Sequence, residues 1–260
     1  MAGNALVVAD TLIKATLSLL MLQSWSPNES VFWAFNGASW FIASLMFCYL
    51  IGCLTIGFMS QKKRTCWLLA LFVVVRYAIE FIQIKYGDQY FIINMHVNPM
   101  IRALEFSCGM ATGRIMQSLK ERTKVVPIAL FTATEVLTIA AVVYAVIRMN
   151  GIWTRAAYVY LFCILVFVFS FDGGVVSRFL SIRILQWFGS IQLEFYLVHT
   201  IVCKAVQPLV TWSFWNWYIE AASICFCVTL GCIVIYRFVF RKPMERGMER
   251  GLEIVGNIIG

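Results

Sequence analysis

Charge is scarce in this chain: Asp, Glu, Lys and Arg together make up 13% of 260 residues, against about 25% in soluble domains. Proline and histidine are scarcer still, at 5 and 2 residues. This composition excludes an ordinary soluble globule, a disordered chain and a collagen-like fibre. Several chemistries lack their signatures. There is no P-loop, no G-x-G-x-x-G and no G-x-S-x-G nucleophile elbow. Two histidines on different segments, without a cysteine or carboxylate cluster, do not make a metal site, and no metal is expected. The nine cysteines form no C-x-x-C pair and nearly all fall within apolar runs. They read as small buried hydrophobes. The N-terminus lacks a basic segment, and Asp10 and Lys14 interrupt its apolar run, so it does not read as a secretory signal. No internal repeat or inverted half stands out, which argues against a small transporter.

What is present is apolar sequence, 61% of the chain. It falls into eight stretches, residues 5–22, 38–58, 66–84, 99–116, 125–147, 153–171, 184–206 and 215–238. Each is near the ~20 residues needed to cross a hydrocarbon core. The expected fold is therefore all-α: a polytopic integral membrane helix bundle of about eight spans, one domain over residues 1–260. A short basic tail occupies 241–260. Fourteen basic residues lie on one side of this arrangement, among them Lys62, Lys63, Arg64, Arg114, Lys120, Arg178, Arg183, Arg237 and Arg241. The opposite loops hold only Lys85, Arg148 and Arg155. The bias places both termini in the cytoplasm. The net charge of +8 is then a topology signal rather than a nucleic-acid footprint, and no nucleic-acid partner is expected. Trp212, Trp215, Trp217 and Tyr218 read as an interfacial aromatic belt, and Asp172-Gly173-Gly174 as a turn.

Ionisable groups within spans are costly and are functional candidates by default. Arg76 and Glu80 are spaced i,i+4, and Arg102 and Glu105 i,i+3, so each pair can close on its own helix. Asp10 and Lys14 repeat the pattern. The plain alternative is that such pairs only hold helices together. At 1.5 Å per residue, Arg76 and Glu80 lie roughly 15–21 Å across the membrane, in its outer half. Arg102 and Glu105 lie at a similar depth, as do His199 and, at the start of the second span, Ser39 and Trp40. A polar cavity opening outward, lined by the second, third, fourth and seventh spans, is expected. Gln192, Tyr196, His199 and Cys203 form one stripe on the seventh span, with Glu194 about 140° away from His199. Glu135, alone in mid-span, must pair across helices or stay protonated.

Three stretches together resemble membrane-bound acyltransferase family 3, which includes polysaccharide O-acetyltransferases. Leu22-Gln23-Ser24-Trp25 followed by Asn36-Gly37-Ala38-Ser39-Trp40 is similar to the family's tryptophan-containing outer loop and its N-G-x-S-W segment. Pro99 to Met110, with Arg102, Glu105, Phe106 and Gly109, resembles P-x-x-R-x-x-E-F-x-x-G-M. Leu185 to His199, with Gly189, Tyr196 and Leu197, resembles L-x-x-x-G-x-x-S-x-x-x-Y-L-x-H, with Gln192 where the family often has Ser. The resemblance spans essentially the whole chain. It also implies N-terminal helices, one with a catalytic His, that are not found here, so the sequence is similar to the later three quarters of such an enzyme. A truncated gene, a late start codon and a divergent short form all fit that pattern.

The resemblance implies a bacterial inner-membrane, multi-pass O-acyltransferase. Acetyl-CoA or another acyl-CoA would be the cytoplasmic donor, a surface or exopolysaccharide sugar the acceptor, and no cofactor would be tightly bound. Its partners would be the bilayer, the glycan, and a homo-oligomer or a protein supplying the missing helices. His199 is the expected base with His96 second, and Arg102 the electrostatic stabiliser with Glu105 orienting it. Ser39, Trp40, Arg76, Glu80, His96 and Tyr196 are expected to contact the acceptor. The alternative is a non-catalytic membrane remnant or subunit that binds a glycan or lipid-linked intermediate.

Overall fold

A computed structural model describes residues 2–86, 96–120, 127–148, 152–210, 217–241 and 243. The outer loop at 87–95, most of the aromatic cluster at 212–218 and the tail beyond 243 lie outside the described residues. Among the described residues the chain is helical and holds no strand. It divides into two compact units, Met1–Arg183 and Ile184–Gly260.

The first unit carries α1 (Ala2–Leu19), α2 (Glu29–Phe32), α3 (Ser39–Thr55), α4 (Lys62–Tyr86), α5 (Pro99–Lys120), α6 (Ile128–Arg148), α7 (Ile152–Phe169) and α8 (Val175–Leu180). The second is built on α9 (Arg183–Ser190), α10 (Gln192–Val210) and α11 (Trp217–Tyr236), which widens into a π-helical turn at Arg237–Arg241. Among the described residues, four helical segments are long and apolar enough to cross a membrane: Ser39–Ser60, Lys62–Tyr86, Ile128–Arg148 and Ala222–Arg241. Ala157–Phe169 is a shorter apolar helix. The chain is thus a helical membrane protein, and α5, 22 residues long, is set apart by its charges at Arg102, Glu105, Arg114 and Lys120.

Packing explains where those charges go. α5 sits against α3, α4 and α7, so the most polar long helix of the first unit is surrounded by apolar ones. Small residues allow the approach. On α3, Ser44, Cys48 and Gly52 follow at i,i+4 and are buried. On α5, Ala103, Ser107 and Ala111 do the same. A Cβ on Gly52 would stand 3.2 Å from both Met110 Sδ and Phe106 Cε1, so the glycine is what brings α3 onto α5. Helix ends follow local chemistry. Asn98 precedes Pro99, whose missing N–H costs nothing at a helix start, and Asn98 Oδ1 accepts from Met100 N at 3.0 Å. Asn28 caps α2 in the same way, accepting from Ser30 N at 2.9 Å. The turn expected at Asp172-Gly173-Gly174 is present, with Asp172 in the left-handed region at φ 52°, a conformation Asp tolerates better than most residues.

The seventh expected span is not one helix. It breaks at Ile191, between α9 and α10. Ser190 Oγ turns back to Trp187 O at 2.8 Å, and the Ser190 carbonyl accepts from Arg237 Nη2 at 2.5 Å. Competition for a helix carbonyl by a serine hydroxyl and an inserted side chain is a known cause of such breaks. The connection between the sixth and seventh expected spans also holds a short helix, α8, that the apolar pattern does not announce.

Candidate active site

The charged residues of α4 and α5 form one linked array. Arg76 ion-pairs with Glu80 through Nη1 and with Glu105 through Nε, the latter at 3.1 Å. Glu105 uses its other oxygen to hold Arg102 Nη1 at 2.6 Å. The two pairs expected on single helices therefore both form, and Arg76–Glu105 joins them across helices. Two guanidinium groups face two carboxylates, so the array is charge-balanced. Arg76 and Glu80 are almost fully buried, at 1% and 0% exposure, whereas the Arg102 side chain keeps 29%. The array thus has a closed end at Glu80 and an accessible end at Arg102. Glu80 Oε1 is buried without a hydrogen-bond partner among the described residues.

The accessible end opens into a cavity of about 350 Å³. Its polar lining is His96, Arg102, Glu105 and Tyr158; Gly109, Val159, Phe162, Cys163 and Val166 complete it. The lining comes from α5, α7 and the turn carrying His96. The second and third spans, expected to contribute, do not supply lining residues. Trp40 is 7% exposed and packs on the His96 ring, centroids 5.0 Å apart. With Phe32 and Val97 it forms a buried cluster beneath that ring. Ser39 Oγ donates to Asn36 O at 2.7 Å and accepts from Gln23 Nε2 at 3.3 Å. Ser44 Oγ ties the same region to Val97 O at 2.8 Å. Trp40 and Ser44 hold the His96 turn, Ser39 is bonded within the preceding loop, and neither Ser39 nor Trp40 is among the lining residues. Arg76 and Glu80 lie behind Glu105, away from the cavity.

The second unit has a cavity of its own, about 480 Å³, lined by Phe188, Ile191, Gln192, Phe195, Tyr196, His199 and Phe226. Gln192, Tyr196 and His199 share it, as their helical stripe predicts; Cys203, the next on the stripe, is not among its lining residues. His199 Nδ1 lies 3.3 Å from Phe195 O, and its ring stacks 6.4 Å from that of Phe195. Glu194 faces elsewhere, pairing with Arg237 at 2.9 Å and Arg241 at 2.8 Å. The expected residues are therefore divided: His96, Arg102 and Glu105 belong to the first unit, Tyr196 and His199 to the second.

Glu135 pairs across helices, as one of its two options required. Its carboxylate accepts from the backbone N–H of Gly174 (3.1 Å), Val176 (3.0 Å) and Ser177 (3.3 Å), and from Ser177 Oγ (2.5 Å). It acts as the N-terminal cap of α8, supplied from α6. The residues that sequence reasoning missed are those of α7: Tyr158, Phe162 and Cys163 sit in a run that has no Asp, Glu, Lys or Arg after Arg155, and only knowledge of its neighbour α5 reveals them.

The family model described as "Acyltransferase domain", that of acyltransferase family 3, matches residues 2–237. The chain belongs to this family. No curated protein and no solved structure matches it. In this acyltransferase the segment resembling P-x-x-R-x-x-E-F-x-x-G-M is α5, and Arg102, Glu105 and Gly109 all face the cavity. Their spacing of three and four puts them on one helix face.

Proposed function

We propose that this membrane acyltransferase is an O-acyltransferase of the bacterial inner membrane, with eight spans and both termini cytoplasmic. It moves an acyl group, acetyl in the simplest case, from an acyl-CoA thioester to a hydroxyl of a surface or exopolysaccharide sugar. One observation supports the reading above all: in a chain of acyltransferase family 3, His96, Arg102 and Glu105 line a single cavity. Acyl transfer to a hydroxyl needs a base and a donor to the developing oxyanion. The hydroxyl oxygen attacks the thioester carbon, forming the C–O bond while the C–S bond breaks. The hydroxyl proton passes to His96 and then to the departing thiolate. Arg102 stabilises the oxyanion, Glu105 fixes the guanidinium, and Arg76 with Glu80 anchors Glu105. Trp40 steadies the His96 turn, and Ser39 the loop that leads into α3. His199, with Tyr196 beside it, is the rival base, in a cavity that would take part of the donor or acceptor.

The test is O-acylation of the surface glycan, read by mass spectrometry, in a deletion strain complemented with this chain. Arg102→Ala is expected to lower transfer by about 100-fold or more at normal membrane abundance. His96→Ala and His199→Ala are compared directly. Loss in the first with retention in the second assigns the base to His96; the reverse assigns it to His199. Wild-type acylation by Arg102→Ala refutes the site.

A further inference from the structure

The cavity between α5 and α7 is graded from polar to apolar. Lys120 Nζ at the end of α5 bonds Ser170 O just past α7, at 3.1 Å, so the two helices run in the same direction. The early residues of both, Arg102 and Tyr158, share one end of the cavity with His96, and the later residues share the other. From Arg102 to Gly109 is seven residues, about 10 Å of helix at 1.5 Å per residue. Over that length the wall passes from a guanidinium and a carboxylate to Gly109, Phe162, Cys163 and Val166.

Gly109 is the informative position. A Cβ there would meet nothing within 4 Å, so the glycine is not required by close packing of α5 on a neighbour, unlike Gly52. It leaves space on the cavity side of the helix. A sugar ring pushed into this end would have its hydroxyls facing Val159, Phe162 and Val166, which offer no side-chain partner, and stranded hydroxyls are costly to bury. A hydrocarbon chain meets no such penalty and gains by leaving water. At a liquid share of about 30 Å³ for a water-sized group, this half-open cavity of about 350 Å³ has room for more heavy atoms than the few of an acetyl group.

Building on the acyl-transfer reading above, we infer that this cavity holds the acyl group being transferred, and that the group is longer than acetyl, a saturated chain of about four to eight carbons. Its carbonyl lies at Arg102 and His96, where the C–S bond breaks and the C–O bond forms. Its tail lies along Phe162, Cys163 and Val166, with Gly109 setting how far it reaches. The donor is a thioester of that acid, and the acyl chain, rather than the acceptor, is what the α5–α7 cavity selects.

The experiment uses membranes containing the full chain, the glycan acceptor, and acetyl-, butyryl-, hexanoyl- and octanoyl-CoA as separate donors. Wild type is expected to transfer butyryl or hexanoyl at least as well as acetyl. Gly109→Leu fills the apolar end and is expected to cut the hexanoyl-to-acetyl ratio of kcat/KM at least tenfold. Phe162→Ala opens it and is expected to raise the octanoyl-to-hexanoyl ratio several-fold, so one variant narrows and the other widens the range. Exclusive transfer of acetyl, or chain-length profiles identical in all three proteins, overturns the inference while leaving acyl transfer standing. A change confined to acceptor KM in Gly109→Leu overturns it in favour of an acceptor's apolar portion. Transfer of no donor by wild type overturns the acyl-transfer reading along with it.

Discussion

Removing the Arg76 guanidinium, as in Arg76→Met, takes a partner from two carboxylates and strands one of them. Glu80 is 0% exposed and has Arg76 as its ion-pair partner, while Glu105 keeps Arg102 at 2.6 Å. The loss therefore falls mainly on Glu80, whose other oxygen already lacks a partner. Breaking a buried ion pair by deleting one member costs about 3–5 kcal/mol in soluble proteins. A membrane protein sits toward the lower end, because helices in the unfolded state still find polar partners in the bilayer. The expected destabilisation is about 3 kcal/mol, measured by reversible unfolding in mixed detergent micelles. Deleting both partners, as in Arg76→Met with Glu80→Leu, removes the stranded charge as well as the pair. The double variant should recover at least ~1 kcal/mol relative to the sum of the single losses. A stability within about 0.5 kcal/mol of wild type for Arg76→Met would show that Glu80 carries no charge needing compensation, and the argument fails.

Gly174→Ala sets a Cβ against the Glu135 carboxylate and should cost about 1–3 kcal/mol through lost charge-assisted bonds, read by the same unfolding assay. Ser177→Ala removes one bond of that cap and should lose less. Gly52→Leu pushes α3 away from Met110 and Phe106 and should cost about 1–3 kcal/mol by overpacking; an unchanged thermal midpoint in detergent would contradict the close α3–α5 approach. A reporter fused after Gly260 is expected to be active in the cytoplasm, and activity confined to the far side of the membrane would reverse the charge-bias topology.

The helices were legible because membrane spans announce themselves by length and composition, as α4 and α6 do. The ion pairs Arg76–Glu80 and Arg102–Glu105 were legible because helical spacing alone brings their members together. Their joining through Arg76–Glu105 was not, since it depends on which helices are neighbours. The same gap hid α7's part in the cavity and set the second and third spans in its lining beside α5, where they supply no residue. The small-residue stripes Ser44–Cys48–Gly52 and Ala103–Ser107–Ala111 were in plain view as i,i+4 patterns, yet only their mutual burial gives them meaning. The opposed directions of Glu194 and His199 followed from the helical angle. The break at Ile191 did not, because the apolar pattern continues through it and the cause is a distant side chain, Arg237.

The charge array also bears on how the protein is assembled. Each of α4 and α5 carries an intramembrane cation and its counter-ion one turn apart, Arg76 with Glu80 and Arg102 with Glu105, so each can enter the bilayer with these charges already paired, as an independent segment. The Arg76–Glu105 bond has no counterpart within either helix and comes into being only when the two dock. That makes it a latch between separately inserted parts. The same closure that buries Arg76 gives Glu105 a second partner beside Arg102, so the carboxylate at the polar end of the cavity is fixed by the last step of packing rather than by insertion.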